Sequence, residues 1–199
     1  MRLWMTCLGT LFFNACFEPP PSHFESFDGL GYSRFSDFDL PSYVQYFEMR
    51  QGEDPNAWDF EHQMLLQFDP QGYGQLDIGQ QLDIDFIDTE RGFAQGCAPS
   101  FCPIYIAAVG ESVTVIDTLP LLKNFLGDID TPAEVALWLV QDALELIESH
   151  RYSNGDWIVR VRDQAHRLYE LEMTVEGEIL EQRLIREYPQ DNPLWDIAY

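Results

Sequence analysis

Apolar residues alternate with polar ones along so much of this chain that antiparallel β-sheet is the architecture most of it satisfies, because a strand turns successive side chains to opposite faces. Trp58, Phe60, His62, Met64, Leu66 and Phe68 share one parity, and Asp59, Glu61, Gln63 and Gln67 take the other. Asp69-Pro70-Gln71-Gly72-Tyr73-Gly74 is dense turn chemistry. Leu76, Ile78, Leu82, Ile84 and Phe86 then alternate with Asp77, Gly79, Gln81, Asp83 and Asp85. The two runs predict a long β-hairpin with one apolar and one acidic face. A second hairpin is predicted where Ile104–Val109 and Val113–Ile116 flank Gly110-Glu111-Ser112. Near the C-terminus, Trp157, Val159 and Val161 oppose Arg160 and Arg162, and Tyr169, Leu171, Met173 and Val175 oppose Glu170 and Glu172. A third strand over 179–186 follows the Glu176-Gly177-Glu178 turn, and the two arginines are expected to face the two glutamates.

Three stretches break the period of two. Thr131-Pro132-Ala133-Glu134 combines a capping box with proline in the first turn. Ala133, Leu137, Val140, Leu144 and Ile147 continue it as a helical stripe ending near His150. Asp39 and Pro41 open a second expected helix, with Tyr43, Val44 and Phe47 at helical spacing. Leu119–Phe125 reads as short helix or irregular chain ended by Gly127. The fold class is therefore α+β, with antiparallel hairpins and a meander packed against one main helix at about 131–150. Residues 24–199 are expected to form a single domain, with 24–118 and 119–199 as possible sub-parts. The roughly 180 residues after position 15 suffice to bury about 70% of the unfolded surface.

The N-terminus has a different character. Arg2 and the free amino group precede the apolar run Leu3–Phe13, which is shorter than the roughly 20 residues of a membrane-spanning helix. Residues 1–15 are predicted to be a signal peptide. With Ala15 and Cys16 they resemble a bacterial lipoprotein signal. That resemblance implies that Cys16 is acylated and becomes the mature N-terminus. With Phe17 after the cysteine, rather than Asp, it also implies anchoring to the outer membrane, facing the periplasm or the cell surface. Simple secretion, and a buried N-terminal helix with Cys16 in a core, are the other readings of these residues. Glu18-Pro19-Pro20-Pro21-Ser22 cannot form helix, so residues 16–23 read as a stiff tether.

The helix and meander at about 131–186 are broadly similar to PepSY domains of exported bacterial proteins. Thr174-Val175-Glu176-Gly177-Glu178-Ile179-Leu180 resembles that family's strand-turn-strand, without its longer Val-Asp-x-x-x-Gly turn. The stretches Cys102–Ile106 and Leu126–Glu134 resemble uncharacterised exported bacterial proteins, a likeness that supplies no activity.

Charge and cysteine usage narrow the function classes. A formal net charge of −23, with Lys123 the only lysine, argues against nucleic-acid partners and against adhesion of the body to anionic lipid. Cys97 and Cys102, spaced Cys-Ala-Pro-Ser-Phe-Cys, are expected to form a small-loop disulfide in an oxidising envelope. The spacing is neither that of a thiol oxidoreductase nor half of a zinc site.

Catalytic motifs are lacking. There is no Gly-x-Ser-x-Gly elbow, no His-Glu-x-x-His and no Gly-rich phosphate loop, and hence no expected cofactor. Of the four histidines, His23 falls in the tether, His62 in a strand, His150 at a helix end and His166 in a turn. The one chemical candidate is the acidic group Asp83, Asp85, Asp88 and Glu90, with Asp83 and Asp85 expected on one strand face. Such oxygen-rich clusters bind calcium, although the EF-hand loop is missing, and equally line a solvated surface. The favoured reading is a non-catalytic, membrane-tethered envelope module that binds a protein or peptide through a sheet edge or aromatic patch. The alternative is a small carboxylate-dependent hydrolase or a carbohydrate- or calcium-binding envelope protein.

Overall fold

A computed structural model describes residues 21–30, 35–50, 65–67, 70–87 and 103–187 of the chain. The architecture is α+β, with two antiparallel sheets. The first contains β1 (Glu25–Ser26), β6 (Leu144–Arg151), β7 (Trp157–Asp163), β8 (Leu168–Met173) and β9 (Ile179–Arg186), in that spatial order. The second runs β3 (Leu65–Gln67), β2 (Val44–Arg50), β4 (Ile104–Val109), β5 (Ser112–Ile116). Four helices accompany them among the described residues: α1 (Pro70–Tyr73), α2 (Ile78–Asp85), α3 (Leu119–Leu126) and α4 (Pro132–Leu139).

The main core is built from one face of each sheet together with α3 and α4. Phe47, Tyr105 and Ile116 come from the second sheet, Val159, Leu171 and Met173 from the first, and Leu122, Val135 and Leu137 from the helices. The other face of the second sheet is also covered. Tyr46, Ile104, Ile106 and Ala108 pack there against Leu76 and Ile84 of the α2 region. With both faces covered, β4 is apolar throughout and β2 is buried at four successive positions, Tyr46 to Met49, the buried Glu48 among them.

That double burial corrects the helix expected from Asp39. Val44–Arg50 is the strand β2, paired antiparallel with both β3 and β4. Its β-branched and aromatic residues at adjacent positions suit a two-sided strand as well as a helical stripe, and pairing on both edges decides between them. The hairpin between Ile104 and Ile116 forms as expected, with Tyr105 opposite Ile116.

The main helix is shorter than 131–150. Its capping box is present, with Thr131 Oγ1 accepting the Glu134 N–H and the Glu134 carboxylate accepting the Thr131 N–H. Helix α4 ends at Leu139, a 3-10 turn covers Val140–Asp142, and Ala143 is left-handed at φ 55°. Leu144–Arg151 then joins the sheet as β6, which adds one strand to the predicted meander. The stripe Leu137, Leu144, Ile147 is compatible with helix, but β6 supplies the ladder partners of β7 from Leu144↔Asp163 to Arg151↔Trp157. Without β6 those backbone groups of β7 would be buried and unpaired. His150 thus lies in a strand, edge-on to Phe24 and Tyr152, and not at a helix end.

The outer face of the first sheet is charge-matched: the expected pairing of Arg160 with Glu170 forms, while Arg162 and Glu172 do not face each other. Arg160 lies opposite Glu170 and sits between it, at 3.5 Å, and Glu148 of β6, at 2.8 Å. Arg162 reaches Glu145 at 2.6 Å, and Glu172 lies opposite Ile158. The Arg160 guanidinium also stacks 4.0 Å over Phe24, where the chain enters the fold through β1.

The expected Cys97–Cys102 disulfide is also corrected. The described residues contain no disulfide bond, and both cysteines lie outside them. The signal peptide, Cys16 and residues 16–20 of the tether lie outside the described residues as well. Among the described residues, no helix is long and apolar enough to cross a membrane.

Candidate functional site

The segment predicted as the acidic arm of a hairpin is helix α2. Asp77 caps it, its Oδ1 accepting the Gln80 N–H at 2.8 Å while Gln80 Oε1 accepts the Asp77 N–H at 3.3 Å. This capping box, Asp-x-x-Gln, was present in the sequence and overrides the alternation, because residues spaced by four satisfy a period of two and a helical turn alike. Leu76, Gln80 and Ile84 are the buried side. The Gln80 amide donates to the Gly110 carbonyl at 2.9 Å, which fastens the helix to the turn between β4 and β5.

The opposite side of α2 and its C-cap is apolar and open. Ile78 is 75% exposed, Leu82 48% and Phe86 81%. Spaced by four, they form one stripe along the helix.

Beneath α2 lies a buried polar cluster that the sequence reading did not single out. The Tyr46 hydroxyl donates to Glu48 Oε2 at 2.5 Å, and Arg50 Nη2 lies 2.7 Å from Glu48 Oε1. Arg50 Nη1 donates to the Ile84 carbonyl at 2.7 Å, neutralising the negative end of the α2 backbone. The Tyr73 hydroxyl donates to Asp85 Oδ1 at 2.7 Å, and its ring meets Tyr46 edge-on. Glu48 is wholly buried. Among the described residues, Glu48 Oε1 has Arg50 as ionic partner but no aligned hydrogen-bond donor, and Arg50 Nε has no acceptor.

Burial pushes the Glu48 carboxyl above its ordinary 4.5, against the opposing pull of the Tyr46 hydroxyl and Arg50. Burial, then the bond to Glu48, drive the Tyr46 phenol upward too. The bond to Asp85, followed by burial, raises Tyr73. These groups are matched to one another inside the protein. What they do chemically is hold α2 on the sheet in one position, so that its outer stripe is presented by a fixed platform.

The sequence-predicted acidic group falls apart on this geometry. Asp83 and Asp85 lie two residues apart on a helix, hence on different sides of it, not on one strand face. Asp85 is held by Tyr73, while Asp88 and Glu90 lie outside the described residues. Among the described residues, no group of three or more His, Cys, Asp or Glu side chains is placed to hold a metal ion. His62 is outside the described residues, and His166 occupies a left-handed turn position at φ 58°. A pattern of aromatic and charged residues at alternate positions, Tyr46, Glu48, Arg50, was the available signal for the cluster.

Fold and surface define an α+β protein of two antiparallel sheets whose second sheet carries a locked helix with an apolar outer stripe. No family model, curated protein or solved structure matches the chain.

Proposed function

We propose that this chain is a non-catalytic module of the bacterial envelope, tethered through Cys16 to the outer membrane, that binds a protein partner through the outer stripe of α2. The observation that carries the reading is Phe86, Ile78 and Leu82 lying exposed on a helix whose other side is pinned by Gln80, Ile84 and Arg50. Single exposed apolar side chains are ordinary, but three in register on one helix match the anchors that a helix offers to an apolar groove. The partner is accordingly a protein with such a groove.

A photo-crosslinking residue at Leu82, in the full chain in intact cells, tests this against the same residue at Gln164, exposed at the turn between β7 and β8 of the other sheet. A discrete adduct from Leu82, absent from Gln164 and lost in Ile78→Glu with Phe86→Glu, is the expected result. Identical adducts from both positions, or none from Leu82, overturn the reading.

A further inference from the structure

Strand β9 is exposed along its whole length on both faces, and among the described residues it has β8 as its only strand neighbour. An edge with Ile179, Leu180, Leu184 and Ile185 all exposed is a template for another strand. Its sequence, Ile179-Leu180-Glu181-Gln182-Arg183-Leu184-Ile185, reads as apolar, apolar, acid, amide, base, apolar, apolar. It is self-complementary when run against itself.

We infer that β9 pairs antiparallel with β9 of a second copy of this chain, about a two-fold axis through Gln182. In that register Glu181 faces Arg183 of the other copy twice, with Leu180 and Leu184 brought together at the two ends of the straight run. Directly opposed residues share a face, so both acid–base pairs are in contact. A slip of one residue in register sets Glu181 against Leu184, or Leu180 against Arg183. A slip of two residues, which moves the axis to Arg183 or Glu181, sets Arg183 against Arg183, or Glu181 against Glu181. The sequence thus selects one register.

The structure gives a second reason. Within the chain Glu181 lies opposite Glu172 of β8, a like-charge pair that is unfavourable. Among the described residues Glu181 has no ion-pair partner, whereas Arg183 is held by Glu170 on β8. A second copy supplies the missing cation to Glu181. Register against β8 is regular from Glu181 to Leu184 and shifts on either side, so the central run that carries the charges is a straight ladder. Charges on an edge strand ordinarily block self-pairing, but an acid and a base placed symmetrically about an uncharged centre do the opposite. Pairing would merge two five-stranded sheets into one continuous sheet, with the Arg183 side chains bridging Glu170 of their own chain and Glu181 of the other.

Sedimentation velocity on the purified full chain tests the proposal. The wild type is expected to be a dimer. E181R and R183E each place like charges twice across the axis and weaken the dimer by about tenfold or more. An equal mixture of the two variants restores both acid–base pairs and recovers the dimer. Thermal melts establish that the variants are folded. Should a charge reversal prevent folding, Q182K at an exposed position sets lysine against lysine at the centre and gives the same loss. A wild type that remains monomeric at about 100 µM overturns the proposal, given that a sheet-edge interface of this kind is expected to hold in the micromolar range. So does a dimer unaffected by these substitutions, or a mixture that stays monomeric.

Discussion

Glu134 Oε1 accepts the backbone N–H of Asp39 at 2.7 Å, a bond between residues 95 positions apart that ties the start of α4 to the segment leading into β2. The other oxygen accepts the N–H groups of Asp130 and Thr131 at 2.9 and 3.0 Å. One buried carboxylate therefore serves as helix cap and as long-range staple. Glu134→Ala removes the acceptor of three part-buried backbone donors and is expected to cost about 2–3 kcal/mol. Glu134→Gln, which keeps one acceptor oxygen, should lose roughly half as much. Urea unfolding reads both, and equal, small losses would show that water replaces the carboxylate.

The buried cluster under α2 predicts an asymmetry between single and joint substitutions. Arg50→Met leaves Glu48 buried beside a hydrocarbon and should destabilise by about 3–5 kcal/mol. Replacing Tyr46, Glu48 and Arg50 together with Phe, Leu and Met removes the charges and their desolvation cost, and stability should return to within about 1 kcal/mol of the wild type. If the triple substitution is as unstable as Arg50→Met, the bond from Arg50 to the Ile84 carbonyl matters more than the charge pair.

Stability should rise as the pH is lowered from 7.5 toward 5. The Glu48 and Glu134 carboxyls both sit above their ordinary 4.5, each chiefly because burial disfavours the charged form. An acid with a raised folded value binds more protons folded than unfolded. Its contribution is therefore full below 4.5 and fades as pH rises through the folded value. Self-repulsion at net charge −23 acts in the same direction. Asp163 opposes it only at lower pH. Burial pushes its carboxyl up, but the Arg167 backbone and guanidinium outweigh that and hold it below 3.8, so its support is lost only as pH falls through that lower value. Thermal melts across this range check the slope, and Glu48→Gln should flatten it. A profile that climbs toward pH 7.5 contradicts the assignment.

What the sequence made legible follows from which residues had one reading. Residues 157–186 alternate, Ile104–Val109 and Val113–Ile116 are short apolar runs about a Gly-containing turn, and their hairpins formed. Thr131-Pro132-Ala133-Glu134 started a helix where expected. The failures are stretches in which one apolar pattern serves two structures. Leu76, Ile84 and the residues between them fit a strand or a helix, and the deciding term was a cap at Asp77. Val44–Met49 fit a helical stripe or a strand covered on both sides, and the deciding term was pairing to residues 60 positions away. The candidate site was less legible than the fold. The alternate spacing of Tyr46, Glu48 and Arg50 puts them on one strand face, but the burial of that face comes from Ile84 and Tyr73 lying over it, which is a tertiary contact.

Helix α4 also meets the turn between β8 and β9. Trp138 of α4 lies against that turn, its indole N–H donating to the Gly177 carbonyl at 3.0 Å. A β-carbon at Gly177 would stand 2.5 Å from Trp138 Cε2, and the residue's φ of +85° is itself unfavourable for any other amino acid. Gly177→Ala combines both effects and should cost about 2–4 kcal/mol. Trp138→Ala removes the clash and leaves the backbone strain, so Gly177→Ala in that background should cost only about 1–2 kcal/mol. The difference between the two costs, read from a double-mutant cycle by urea unfolding, measures the steric part. A cost that is the same in both backgrounds would mean that the ring moves aside freely, and that the hydrogen bond to Gly177 does not fix it.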